Sequence, residues 1–132
     1  MAAQDSIERR SMGDIHQMRF VKQHAAAFEG PYLEAGSKDY GSTQDLRSLF
    51  AARGAYVGVD RETGPGVDVV LDLTDDFSVI DAALGGGRFG TVFCLSVLEH
   101  CRRPHLMAAN LTRLLRPGGR LCISAPFAFK IH

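Results

Sequence analysis

Gly36, Gly41 and Asp60 are the residues whose types and spacing most plainly imply a bound small molecule. A glycine just after a short apolar run lets the backbone come close to a ligand. A carboxylate that closes the next apolar run can accept hydrogen bonds from both hydroxyls of a ribose. Asp60 lies 24 residues beyond Gly36, close to the spacing at which nucleotide-binding folds grip that sugar. The elements that must hold these residues are a strand, a glycine-bearing loop, a helix and a second strand. Tyr32, Leu33, Glu34 and Ala35 form the first apolar run, and residues 55–59 form the second, ending at Asp60. Together they make the nucleotide-side half of a Rossmann-like sheet.

Three ligand classes compete for the loop Gly36-Ser37-Lys38-Asp39-Tyr40-Gly41-Ser42-Thr43. A P-loop needs GxxxxGK[ST], with lysine reaching the terminal phosphates. The glycines have that separation, but Ser42 stands where lysine is required. A dinucleotide loop needs GxGxxG so that backbone can approach a pyrophosphate. Lys38 occupies the second glycine, and its side chain would crowd that approach. S-adenosylmethionine carries adenosine without phosphate. Its zwitterionic tail needs close backbone approach, for which Gly36 with Glu34 two residues before it suffices. A plain β-to-α turn, using glycine for a positive φ, stays open beside these readings.

The 132 residues suffice for one domain with one real core. Fifteen basic residues balance fifteen acidic ones, so no global field favours nucleic acid or an anionic membrane. No apolar run approaches the roughly 20 residues that span a bilayer. The start of the chain lacks the basic and apolar stretches of a signal peptide. Cys94, Cys101 and Cys122 cannot all pair and form no CxxC, so a reduced, cytoplasmic setting is the simplest reading.

Residues 1–11 read as a flexible polar lead, and residues 12–132 as the domain. Ile15, Met18, Val21, Ala25 and Phe28 recur at helical spacing, and Gly30-Pro31 stops that helix. Ser42 or Thr43 is expected to cap the next helix, with Leu46, Leu49 and Phe50 inward and Gly54 at its end. Gly64-Pro65-Gly66 turns the chain into a third strand over 67–71, closing with Asp72. A short helix follows with Phe77, Ile80, Ala83 and Leu84 inward, broken at Gly85-Gly86-Gly87. Residues 89–95 form a continuously apolar fourth strand, as suits a central parallel strand covered on both faces. Pro104 opens a helix with Met107, Leu111, Leu114 and Leu115 on one face. Pro117-Gly118-Gly119 turns the chain into a fifth strand over 120–125. Alternating strands and helices imply an α/β, doubly wound, mostly parallel sheet. The sequence stops seven residues past the fifth strand with Phe127 and Phe129 unplaced, so a truncated product or a split gene is expected, with later strands missing.

Four segments in order carry a family resemblance: Leu33-Glu34-Ala35-Gly36-Ser37, Tyr56-Val57-Gly58-Val59-Asp60, Phe93-Cys94-Leu95-Ser96-Val97-Leu98-Glu99-His100 and Leu114-Leu115-Arg116-Pro117-Gly118-Gly119-Arg120-Leu121. From about Val21 onward the chain resembles class I S-adenosylmethionine-dependent methyltransferases of the methyltransferase type 11 kind. Its loop departs from the usual E-x-G-x-G-x-G and closes later, at Gly41-Ser42. The resemblance implies S-adenosylmethionine as cofactor and an unidentified methyl acceptor. It implies that Asp60 binds the ribose, and that Asp72 meets the adenine amine with Leu73 against the ring. Gly36 and Ser37 would sit beside the methionine part, Glu34 would orient the loop or the ammonium, and Leu95 and Ser96 would line the far side.

His100 is a candidate general base, since imidazole suits proton removal near neutrality. The competing reading has it pin the loop after the fourth strand by hydrogen bonding. Methyltransferases of ubiquinone biosynthesis hold a divalent metal with a similar segment, but Ser96 stands here where another acid would help. His100, Cys101 and His105 fit no common zinc spacing. No metal is therefore expected. Arg102-Arg103 reads as a solvated loop, and Cys94 and Cys122 as core thiols. A second reading is a non-catalytic S-adenosylmethionine-binding fragment or pseudoenzyme, and a third, weaker one is a dinucleotide-binding domain. No nucleic acid or membrane partner is expected. Self-association through an exposed edge at the fifth strand is expected if later strands are missing.

Overall fold

The computed structural model describes residues 15–41 and 45–125. The expected flexible lead over 1–11, the caps at Ser42 or Thr43, and Phe127 and Phe129 lie outside the described residues.

Five strands form one sheet: β1 (Tyr32–Ala35), β2 (Tyr56–Asp60), β3 (Val69–Val70), β4 (Phe89–Leu95) and β5 (Leu115–Ser124). Their order is β3-β2-β1-β4-β5, and every pairing is parallel. Helix α1 covers 15–23. It is followed by α2 (Leu46–Phe50), α3 (Phe77–Ala83) and α4 (Pro104–Arg113). Short 3-10 turns occupy Ala25–Ala27 and Leu98–His100. This is the α/β Rossmann-like architecture that the alternation of elements implies. No described helix is long and apolar enough to cross a membrane.

Period-two alternation sends each strand's side chains to two separate cores. Leu33, Ala35, Val59, Val92 and Cys94 pack with Ile80 of α3 and with Met107 and Leu111 of α4. Tyr32 and Phe93 pack on the other face with Met18 and Val21 of α1 and with Leu46 and Phe50 of α2. Phe28, Tyr32, Phe50 and Phe93 form a cluster of ring contacts there, with centroids 5.0 to 6.3 Å apart. Burying each such side chain contributes about 1.5–3 kcal/mol. Covered on both faces, β1 and β4 are the fixed centre of the sheet. The chain runs outward from β1 to β3 and then returns to place β4 on the other side of β1. That reversal leaves a crevice at the carboxyl ends of β1 and β4, where open α/β sheets bind ligands.

Several element boundaries differ from the sequence reading. Asp45 caps α2, its side chain accepting from the Arg47 amide. α2 ends at Phe50, ahead of Gly54. β3 is only two residues long, against the expected 67–71. Its start is displaced because the Asp68 carboxylate, not backbone alone, takes the Gly58 amide, 2.7 Å away. Ala83 is exposed, since it closes the last turn of α3 before the chain breaks away. β5 begins at Leu115, and Pro117-Gly118-Gly119 is an irregularity inside it: the register jumps from Phe89–Leu115 to Thr91–Arg120.

Candidate active site

A cavity of about 880 Å³ opens at the crevice. Gly36, Asp60, Asp72, Leu73, Ser96 and His100 all contribute to its wall. β1, β2, β3 and β4 thus each deliver a residue to one space, although these residues lie up to 64 positions apart in the chain.

Gly36 takes φ 68°, and a Cβ there would meet Val97 Cγ2 at 2.5 Å. Both the backbone conformation and the close approach therefore require glycine. Ser37 is buried, its amide donates to Val59 O at 3.0 Å, and its hydroxyl has no partner among the described residues. Ser37 does not line the cavity.

Glu34 is also outside the cavity wall. It shares the α2 face of the sheet with Tyr56, whose hydroxyl donates to Glu34 Oε1 at 2.6 Å. Burial pushes its carboxyl up from 4.5 to about 7, against the opposing pull of the Tyr56 bond and the Arg47 charge. Arg47 stacks over the Tyr56 ring and pairs with Asp68. Glu34 is thus part of a buried polar network under the loop.

Asp60 ends β2 at the cavity. Its Oδ2 accepts from the Lys38 amide at 3.0 Å and its Oδ1 from the Glu62 amide at 3.1 Å. Each oxygen keeps a further lone pair, because a carboxylate offers about four acceptor sites. The two amides fix the carboxylate's orientation without saturating it.

Asp72 Oδ1 accepts from both the amide and the hydroxyl of Thr74, at 2.9 and 2.6 Å. The Thr74 hydroxyl and then its amide hold the Asp72 carboxyl below its ordinary range, so it stands ionised. Leu73 is buried beside it. The backbone of this loop is tied down by Asn110 of α4, whose side-chain amide donates to Leu73 O at 2.9 Å and Asp75 O at 3.0 Å. Sequence reasoning missed Asn110. The available signal was a polar residue set among Met107, Leu111 and Leu114 on a buried helix face.

Ser96 follows β4 in the left-handed region, at φ 56°. Its amide donates to Ser124 O at 3.0 Å, and its hydroxyl accepts from the side-chain amide of Gln17 on α1. Leu95 turns to the other face, packing against the aromatic core, and does not line the cavity. His100 is exposed, with its side chain 76% accessible, and makes no hydrogen bond to a described side chain. Its Nε2 lies 3.9 Å from Glu99 Oε1. The Glu99 side chain is only 9% accessible, and its Oε2 is buried without a partner among the described residues. Among the described residues no group of three acids, histidines or cysteines is placed to hold a metal.

The arrangement offers bare backbone at Gly36, two oriented carboxylates, an apolar surface at Leu73 and an exposed imidazole. A family model described as "Methyltransferase domain" matches residues 39–123, from the glycine loop through most of β5. No curated protein matches the chain.

Proposed function

The chain belongs to the methyltransferase domain family, and from that premise we propose that it binds S-adenosylmethionine in the cavity and transfers its methyl group to an acceptor. Members of the family use that cofactor. The observation that carries the reading is the convergence of Gly36, Asp60, Asp72, Leu73 and Ser96 on one space at the sheet's reversal. Those residues fit the cofactor. Gly36 supplies the side-chain-free backbone that a zwitterionic tail needs. Asp60 has acceptor capacity left for a ribose diol, and charged acceptors form the stronger hydrogen bonds. Asp72 is ionised next to a buried leucine, a setting for an adenine edge and face.

When bound, the cofactor supplies an already activated methyl on a sulfonium. The protein's part is therefore orientation and proximity. Two backbone amides aim Asp60, Thr74 aims Asp72, and Asn110 steadies the backbone between Leu73 and Asp75. Ser96 holds a left-handed conformation at the crevice, where non-glycine backbone strain often accompanies function. An acceptor that must shed a proton finds His100 in the cavity wall, 3.9 Å from the Glu99 carboxylate.

Calorimetric titration with S-adenosylmethionine, its demethylated product and NAD tests this. The first two should bind and NAD should not. Failure of both sulfur ligands to bind folded protein would remove the reading. Binding without methylation of any acceptor in a broad screen would favour a non-catalytic S-adenosylmethionine-binding chain instead.

A further inference from the structure

The cavity carries charge of both signs. Asp60, Arg61, Glu62 and Asp72 come from the ends of β2 and β3, where the Arg61 charge acts on Asp72, while two further arginines, Arg102 and Arg103, come from the link into α4. The acids already have protein partners. Asp60 holds two amides, Glu62 pairs with Lys38 at 2.8 Å, and Asp72 holds Thr74. The two arginines do not. Neither guanidinium makes a hydrogen bond, ion pair or ring contact with a described residue. Arg47, Arg88 and Arg116 are, by contrast, each held by a carboxylate.

Unpaired arginines on a convex surface are ordinary solvated groups. Arg102 and Arg103 are consecutive, line a concave space and follow closely on His100, the one imidazole among the described residues of that wall. His100, Cys101, Arg102, Arg103 and Met107, from the segment after β4, are among the wall residues that the cofactor reading does not use, and this part of the wall is the one open to an acceptor. The chain's formal net charge is zero, so an anion drawn here would answer to the local pair and not to a global field. The planar fork of a guanidinium matches carboxylate and phosphate oxygens.

We propose that Arg102 and Arg103 bind a small anionic methyl acceptor, one that carries a carboxylate or phosphate group. The inference rests on the S-adenosylmethionine reading of the same cavity. The acceptor's nucleophilic atom forms a bond to the methyl carbon as the carbon–sulfur bond breaks. That bond's electron pair stays on sulfur, giving the neutral thioether. Any proton on the nucleophile passes to His100 or to water. The anionic group stays on the arginines throughout and keeps the nucleophile in line.

Benzoate and phenyl phosphate, with benzyl alcohol as the neutral control, are titrated at low salt into protein with and without saturating S-adenosylhomocysteine. At least one anion should bind the loaded protein about ten-fold or more tightly than the alcohol, and weaken as salt is added. The stronger anion identifies the preferred group. Arg102→Gln/Arg103→Gln should lose about ten-fold or more of that affinity while its S-adenosylhomocysteine affinity stays within about two-fold. Its thermal midpoint should match the wild type, because both side chains are exposed and neither makes a hydrogen bond, ion pair or ring contact with a described residue. The proposal is overturned if neither anion binds, if the alcohol binds as well, or if the double variant binds the anions unchanged. S-adenosylhomocysteine binding without anion binding sinks this proposal alone. Anion binding to a protein that refuses S-adenosylhomocysteine sinks the cofactor reading and, with it, the acceptor role.

Discussion

Asp60 and Glu34 are carboxylates near the carboxyl ends of neighbouring strands, and the fold treats them in opposite ways. Asp60 reaches the cavity, where two backbone amides aim it and leave acceptor capacity for a ligand. Glu34 sits on the α2 face, loses water, and takes one hydrogen bond from Tyr56. Its carboxyl is pushed up to about 7 as a result. A carboxylate oriented by amides at a cavity is ready for chemistry. One desolvated beneath the loop is a structural group whose charge state varies near neutrality. Proximity to the glycine loop in sequence therefore says little about function. The position along the strand decides it: Asp60 closes β2 at the crevice, and Glu34 lies one residue short of the end of β1, over α2.

Removing the cavity carboxylate should give the largest effect. Asp60→Ala should weaken S-adenosylhomocysteine binding about 100-fold, or about 2.7 kcal/mol, by calorimetry. An affinity unchanged by this substitution would erase the distinction between the two acids. On the buried side, Tyr56→Phe leaves the Glu34 carboxyl without its donor. Denaturant unfolding should then report a loss of about 1–3 kcal/mol of stability. Ligand affinity should barely move.

Glu34→Gln comes next, and its sign depends on pH. The folded-state value is raised from 4.5 to about 7. The stabilisation it brings is fully present below pH 4.5 and is lost as pH rises to about 7. The glutamine variant lacks that loss while its side-chain carbonyl can still accept from Tyr56. It should be more stable than wild type by about 1–2 kcal/mol at pH 8, with the difference shrinking toward pH 5. A constant difference across that range would mean that Glu34 does not titrate there. The smallest effect belongs to Gln17→Ala, which takes one hydrogen bond from Ser96. Stability should fall by about 1 kcal/mol or less, and a larger loss would make α1 a principal support of the site.

Much of the fold was legible in the sequence. β1 and β4 are legible to the residue because each is a mostly apolar run closed by a turn signal. Asp60 was legible as a carboxylate closing such a run. β3 is shorter than the apolar pattern over 67–71 implies because Asp68 takes a ladder position with its side chain, which no apolar pattern encodes. Asp45 as the α2 cap was overlooked for the serine and threonine just before it, although aspartate caps equally well. Period-two alternation already groups Glu34 with Tyr32 and Tyr56. It does not say which strand ends converge on the cavity. Gln17 gave no signal at all, since its contact with Ser96 spans 79 residues of sequence. Arg102 and Arg103 read as solvated until the fold brought them to the same wall as Asp60.

An amide NMR titration of the whole chain with S-adenosylhomocysteine measures both regions at once. The largest shifts should fall on Gly36, Arg61, Leu73 and Val97, around the cavity, while Arg47 and Tyr56 on the α2 face stay nearly still. Shifts centred on Arg47 and Tyr56, or no shifts at saturating ligand, would contradict the assignment of the cofactor site to the crevice that Asp60 closes.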